Sequence, residues 1–266
     1  MPDRESRMGA ALIPDGARIE APPPDPQQGV FETLLVADGE PVELEAHLAR
    51  LAHSTGELFG GEPPLAAREL VNGHARTLEL GRLRLDVVPE QDGRLAAAVK
   101  VAAVEPALVF PPWERAARLA AIVVRGGIGA HKWSDRRLLD RAQSELGDAL
   151  PLLLDEDRTV LEVSRGNVFL VRDGSLVTPV TDGRLLPGVA RRRVMEAAAA
   201  AGIQTREEVV SHDQLAGADE VFVSGSVRGV EPVSEYAGVG RWEQGAVTPV
   251  ISRALRQLWL GEQDRD

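Results

Sequence analysis

Three prolines crowded between Glu105 and Trp113, at positions 106, 111 and 112, constrain this chain more than any other feature. Proline lacks a backbone donor and fixes its own φ, so neither a helix interior nor a central strand runs through such a segment. The 266 residues also exceed the usual size of one hydrophobic core. The chain is therefore expected to divide into a small N-terminal α+β domain over residues 29–110, a linker over 111–124, and a larger domain over 125–266. Residues 1–28, rich in proline and charge and without an uninterrupted apolar run, are expected to be a flexible leader.

Within the first unit, Gly29 to Val36 is a β-rich run. It meets the turn Ala37-Asp38-Gly39-Glu40 and returns through Pro41 to Leu44, which reads as a hairpin. Helical spacing follows from Glu45 to Leu58, with His47 and Arg50 three apart and so neighbours, and again near Ala66 to Leu80. Arg82 to Val88 and Arg94 to Val99, separated by Gln91-Asp92-Gly93, form a second hairpin pattern. Beyond the prolines, Ser134 to Gly147 reads as a helix with Ser134 as its N-cap. Three short β-rich segments with acidic or Asp-Gly turns lead to a Pro-Gly turn at 187–188 and a helix from Ala190 to Ala201. Glu220 to Val233 is a strand running through a Gly/Ser turn.

Several function classes are excluded. There is no cysteine, hence no disulfide framework and no thiolate metal site, and no metal centre is expected. No apolar run approaches the length that crosses a bilayer, and no secretory signal is evident, which places the protein in the cytoplasm. The net charge of −11 argues against nucleic acid and anionic membrane as partners. An anionic substrate would have to be drawn in by local arginines.

Of the thirty basic residues only Lys100 and Lys132 are lysines. Chemistry that needs a titratable amine has those two places to go, because arginine stays protonated. Lys100 ends an alternating run and reads as a strand residue with its head in water. Lys132 follows Gly126, Gly127 and Gly129, which let other groups approach closely, and is the candidate nucleophile. The glycines match neither a phosphate loop nor a dinucleotide fingerprint. By itself Lys132 also fits a solvated lysine at a helix start, and Arg50 fits a surface arginine. Glu162 interrupts an apolar strand, where a carboxylate needs a proton, a cation or several donors unless the strand is an edge facing water. The junction Leu186-Pro187-Gly188-Val189-Ala190 offers free amides and a positive helix end, a ready anion site.

The order of these pieces resembles the fold-type IV family of pyridoxal-phosphate enzymes. The residues that carry the resemblance are Gly29-Val30-Phe31-Glu32-Thr33, His47-Leu48-Ala49-Arg50-Leu51, Lys132, Glu162-Val163-Ser164-Arg165-Gly166-Asn167-Val168-Phe169, Leu186 to Arg191, and Ser224 to Val227. The resemblance implies a small N-terminal α+β domain and a larger C-terminal mixed-sheet domain. It also implies that pyridoxal 5′-phosphate is held as a Schiff base on Lys132, with Glu162 at the pyridine nitrogen. Arg50, Gly188, the amides of Val189 and Ala190, Ser226 and Val227 would surround the phosphate, with Asn167 also against the cofactor.

Within that family, Ser226 to Val233 and His131 to Arg136 look like the 4-amino-4-deoxychorismate lyase versions of their segments. The implied reaction releases pyruvate and 4-aminobenzoate, with Lys132 moving the proton, Thr33 protonating the leaving enol, and Arg228 or Arg84 binding a carboxylate. A homodimer and a functional partnership with aminodeoxychorismate synthase are implied too. The alternatives are a branched-chain or D-amino-acid aminotransferase of the same fold and a catalytically silent subunit.

Overall fold

The computed structural model describes residues 17–18 and 23–261. Its first element is a two-residue strand, β1 (Ala17–Arg18), paired in parallel with Ile122 and Val123 of the larger unit. Pro26–Gln28 then makes one 3-10 turn capped by the Asp25 carboxylate. The amide of Asp25 is in turn tied to Asp135 Oδ2 at 3.0 Å. The expected flexible leader is thus corrected where it is described, because backbone pairing and a capped turn hold it against the rest of the chain. Residues 1–16 and 19–22 lie outside the described residues.

The small unit is a sheet backed by two helices: β2 (Val30–Ala37), β3 (Glu40–Pro41), α1 (Leu44–Phe59), α2 (Ala67–Ala75), β4 (Leu80–Pro89) and β5 (Leu95–Ala103), with strand order β3-β2-β4-β5. Asp38 and Gly39 both take positive φ, the geometry an Asp-Gly hairpin turn requires. Alternation decides the rest. Val30, Leu34 and Val36 of β2 and Leu83, Leu85 and Val87 of β4 turn toward the helices and pack with Leu51 and Val71. The opposite face of the same strands carries Phe31, Thr33 and Arg84, with Thr33 directly across from Arg84. The second helix ends at Ala75, short of the expected Leu80, because Leu80 already begins β4.

The expected linker 111–124 is not a linker beyond its first residues. The prolines break the chain only locally, and Ala117–Val123 forms β6, whose run Leu119-Ala120-Ala121-Ile122 is buried in the middle of the large sheet. Such a continuous apolar run belongs to a strand covered on both faces. After the glycines come α3 (Arg137–Leu146), β7 (Leu150–Leu154), β8 (Thr159–Val163), β9 (Asn167–Arg172) and β10 (Ser175–Pro179). These are followed by α4 (Val189–Ala200), β11 (Thr205–Glu208), β12 (Val210–Ser211), α5 (His212–Ala216), β13 (Glu220–Gly225), β14 (Gly229–Tyr236), β15 (Gly240–Arg241) and α6 (Val247–Leu260). The sheet runs β11-β10-β9-β13-β14-β6-β7-β8-β12, mixing parallel and antiparallel pairs. Helix α3 begins at Arg137 and Ser134 does not cap it; the Asp135 carboxylate accepts from the Arg137 amide instead. Among the described residues no helix is long and apolar enough to cross a membrane.

The two units are joined by backbone. Phe31 N donates to Lys132 O at 2.9 Å, and Ser134 N donates to Gly29 O at 3.0 Å. This short antiparallel ladder, with Trp133 opposite Val30, fixes the segment around Lys132 along the edge of β2.

Candidate active site

Lys132 sits at the end of the glycine segment, and Gly127 is needed for the approach of a second loop. Gly127 has φ +69°, and a Cβ there would collide with the carbonyl of Arg184. That contact brings the 184–187 segment beside Lys132. The Lys132 side chain lies over the Phe31 ring, Nζ 4.8 Å from its centroid, and Arg84 stacks on the same ring at 3.7 Å. Burial, reinforced by the nearby Arg50 charge, lowers the Lys132 ammonium to about 8. An amine so placed exists in part as the free base near neutral pH.

Glu162 lies on β8, 3% exposed, and lines with Lys132 one cavity of about 810 Å³. Burial raises its carboxyl to about 8, against the opposing pull of the Leu186 amide and of Lys132, Arg136 and Arg50. Leu186 N is 3.4 Å from each carboxylate oxygen, too long to compensate a buried charge fully. Glu162 is therefore neither an edge residue in water nor a satisfied structural carboxylate. It is a buried acid that keeps its proton until a cationic or basic partner enters.

Arg50 comes from α1. Its Nε and Nη2 donate to Glu32 at 2.8 and 2.6 Å, and its Nη1 donates to the carbonyl of Pro187 at 3.0 Å. Pro187 immediately precedes Gly188, the N-cap of α4, which has no side-chain cap. The first amides of α4, at Val189 and Ala190, thus stand next to a guanidinium, a pairing suited to a phosphate. Asn167 secures this corner: its Nδ2 donates to Leu186 O at 2.9 Å, and a Cβ at Gly188 would collide with its side chain. Ser226 and Val227 are half-buried on the β13–β14 turn. Thr33 is on the Phe31 face of β2, across from Arg84.

The two arginines expected to bind a carboxylate fall in different places. Arg84 shares the Phe31 ring with Lys132, with its guanidinium also paired to Asp86 at 2.7 Å. Neither arginine lines the cavity, and Arg228 has its Nη1 turned to Glu231 at 3.1 Å, a carboxylate that also holds Arg165 through two bonds. Three residues near the amine were not singled out for a role by the sequence. Arg136 lines the cavity, donates to Ser164 O at 2.9 Å, and has its guanidinium pushed below the usual range by burial. Its signal was only its spacing, four residues after Lys132. Glu32 and His47 are buried beneath Arg50; a charged residue in an otherwise apolar strand was the available sign for Glu32.

Comparison with known proteins follows this geometry. The family model for amino-transferase class IV matches residues 29–236. The branched-chain-amino-acid aminotransferase of Escherichia coli (strain K12) is 37% identical over 115 residues, which cover 42% of this chain. This chain spans 37% of the length of that relative. Among solved structures, 4-amino-4-deoxychorismate lyase from Pseudomonas aeruginosa superposes with a TM-score of 0.73 at 28% identity, covering 87% of this chain and 91% of that one. A hypothetical aminotransferase from Mycobacterium tuberculosis shares the fold with a TM-score of 0.77 at 23% identity, covering 89% and 90%.

Proposed function

Since the chain belongs to the class IV aminotransferase family, we propose that it is a lyase converting 4-amino-4-deoxychorismate to 4-aminobenzoate and pyruvate. Its cofactor is pyridoxal 5′-phosphate, and its fold is that of the fold-type IV enzymes. The observation that carries the reading is the pairing of Lys132 and Glu162 in one cavity, each titrating near 8, beside Arg50 and the uncapped start of α4.

When bound, the cofactor supplies an aldehyde for an amine and a ring that accepts the electrons left by proton loss. The chain's own groups do the rest. Lys132, in part a free amine, would hold the cofactor through its aldehyde, and the same amine, when free of it, would be placed to take the proton from the substrate ring carbon that bears the amino group. Glu162 would stand at the pyridine nitrogen, with a proton to share with it and a carboxylate to serve as its counter-charge. Arg50, the amides of Val189 and Ala190, and Ser226 would hold the phosphate, with Gly188 and Val227 shaping the cradle and Asn167 bracing it. Loss of the substrate's ring proton with cleavage of the ring C–O bond makes the ring aromatic and releases the enolpyruvyl group as an enolate, to which the Thr33 hydroxyl would pass a proton to give pyruvate, the proton taken by Lys132 replacing it. Arg136 and Arg84 supply positive charge for the substrate carboxylates; Arg84 is paired with Asp86 and Arg228 with Glu231, but Arg84 shares the Phe31 ring with Lys132, which makes Arg228 the weaker candidate.

The substrate choice draws on the lyase-like segments at Ser226 to Val233 and His131 to Arg136, and on the 28% identity to the Pseudomonas aeruginosa lyase across most of both chains. The aminotransferase reading draws on the 37% identity to the Escherichia coli enzyme over a shorter stretch. The reading also carries a homodimer, a cytoplasmic location and a functional partnership with aminodeoxychorismate synthase. Incubating the enzyme with 4-amino-4-deoxychorismate and no keto acid, then assaying pyruvate and 4-aminobenzoate, tests the reaction. Equal amounts of both support the lyase. No pyruvate, together with transfer of the amino group of a branched-chain or D-amino acid to a keto acid, replaces it with the aminotransferase. Silence in both assays leaves a non-catalytic subunit.

A further inference from the structure

Glu32 has no task in the chemistry above, yet it is 2% exposed and carries a charge. Its carboxylate is directed at Arg50 and His47. Arg50 offers five N–H donors. Glu32 takes two of them, on Nε and Nη2, and the Pro187 carbonyl takes a third, on Nη1. One N–H remains on each terminal nitrogen, so the guanidinium has a free fork beside the first amides of α4. His47 is 1% exposed and its Nδ1 lies 2.7 Å from Glu32 Oε2. Burial alone would raise the Glu32 carboxyl, but Arg50 and His47 outweigh it and hold it at about 2. An ionised carboxylate only accepts, so Nδ1 of His47 carries the hydrogen. Its Nε2 has no partner, although the residue is buried. Burial keeps this histidine from charging readily. A buried neutral histidine with an orphaned nitrogen is costly, and here its one bond goes to the carboxylate that orients Arg50.

We infer that Glu32, backed by His47, is a positioning residue that fixes the Arg50 guanidinium at the start of α4, so that its free fork meets the cofactor phosphate. This deepens the reading of the site as a pyridoxal-phosphate site and rests on it. Pure electrostatics gives the opposite expectation. A carboxylate beside the arginine subtracts positive charge from the anion site, so removing its charge would tighten phosphate binding. Orientation and charge therefore pull in opposite directions, which makes the inference testable by sign.

The test compares dissociation constants of the cofactor-free protein for pyridoxal phosphate and for pyridoxal, which lacks the phosphate, in the wild type and in Glu32→Gln. The ratio of the two constants isolates the phosphate contact and cancels any general damage to the pocket. The wild type is expected to prefer pyridoxal phosphate. Loss of a buried charge-assisted bond is expected to reduce that preference at least about tenfold in Glu32→Gln, with pyridoxal binding little changed. An unchanged preference overturns the inference, and a stronger one shows Glu32 to be merely a counter-charge. If circular dichroism shows Glu32→Gln to be unfolded, His47→Asn takes its place. A smaller loss in the same ratio supports the inference, and an unchanged ratio overturns it. Should the wild type bind neither compound, the cofactor site itself is wrong and this inference falls with it. If the wild type prefers pyridoxal phosphate and the variant matches it, only the role of Glu32 is lost.

Discussion

Replacing Glu162 with glutamine removes the buried acid while keeping its shape, and the cofactor-free protein should report this as a change in how stability depends on pH. The carboxyl titrates at about 8 in the fold, against an ordinary glutamate value of 4.5. A group whose folded pKa is raised contributes stability that is fully present below the unfolded value and lost as pH rises through the folded one. At about 1.4 kcal/mol per pH unit, the interval from 4.5 to about 8 corresponds to roughly 5 kcal/mol. That is a large share of the ~5–15 kcal/mol by which domains are usually stable, and water entering an empty site will reduce it. The assay is urea unfolding of wild type and Glu162→Gln at a series of pH values, taking the difference between them so that titrations of groups not coupled to Glu162 cancel. The difference should be flat below pH 4.5. It should then move against the wild type up to pH 8 by an amount on the order of a few kcal/mol, and level off. A flat difference, or one that favours the wild type as pH rises, would mean that Glu162 is already ionised, and the account of it as a proton donor to the pyridine nitrogen would be refuted.

Two further outcomes follow from the site. Arg136→Gln should raise KM for the anionic substrate about tenfold or more while cofactor affinity stays close to wild type, since its guanidinium lines the cavity with donors to spare; an unchanged KM removes it from the substrate site. Gly188→Ala should destabilise the protein by about 1–3 kcal/mol and weaken cofactor binding, because the new methyl group would collide with Asn167; a wild-type Tm together with wild-type affinity would contradict the packed corner described here.

The parts of this molecule legible in its sequence are those governed by local patterning. The hairpin at Asp38-Gly39 follows from residues that tolerate positive φ, and β8 and β9 follow from short apolar runs between turns. Lys132 stood out because lysine is scarce, and Glu162 because a carboxylate in an apolar strand needs explaining. Long-range approach was harder to read. Nothing in the order of residues says that Arg50, 137 positions before Pro187, donates to its carbonyl, or that Phe31 lies under both Lys132 and Arg84. All of β6 was missed because proline ends regular structure only locally, whereas the expected linker was extended through 124. Ser134 looked like a helix cap because caps are judged by residue type, but its hydroxyl is turned to Asp86 and the helix starts three residues later, at Arg137. The role inferred for Glu32 belongs to the same class, since it depends on three bonds made across the small unit and on the loop that Arg50 reaches.

The most direct test of the whole account is chemical. The protein is loaded with pyridoxal phosphate, reduced with borohydride, digested and mapped by mass. A single pyridoxyl adduct is expected on Lys132, absent from Lys132→Ala. An adduct on Lys100, or none on a protein that has demonstrably folded, would contradict the assignment on which the chemistry is built.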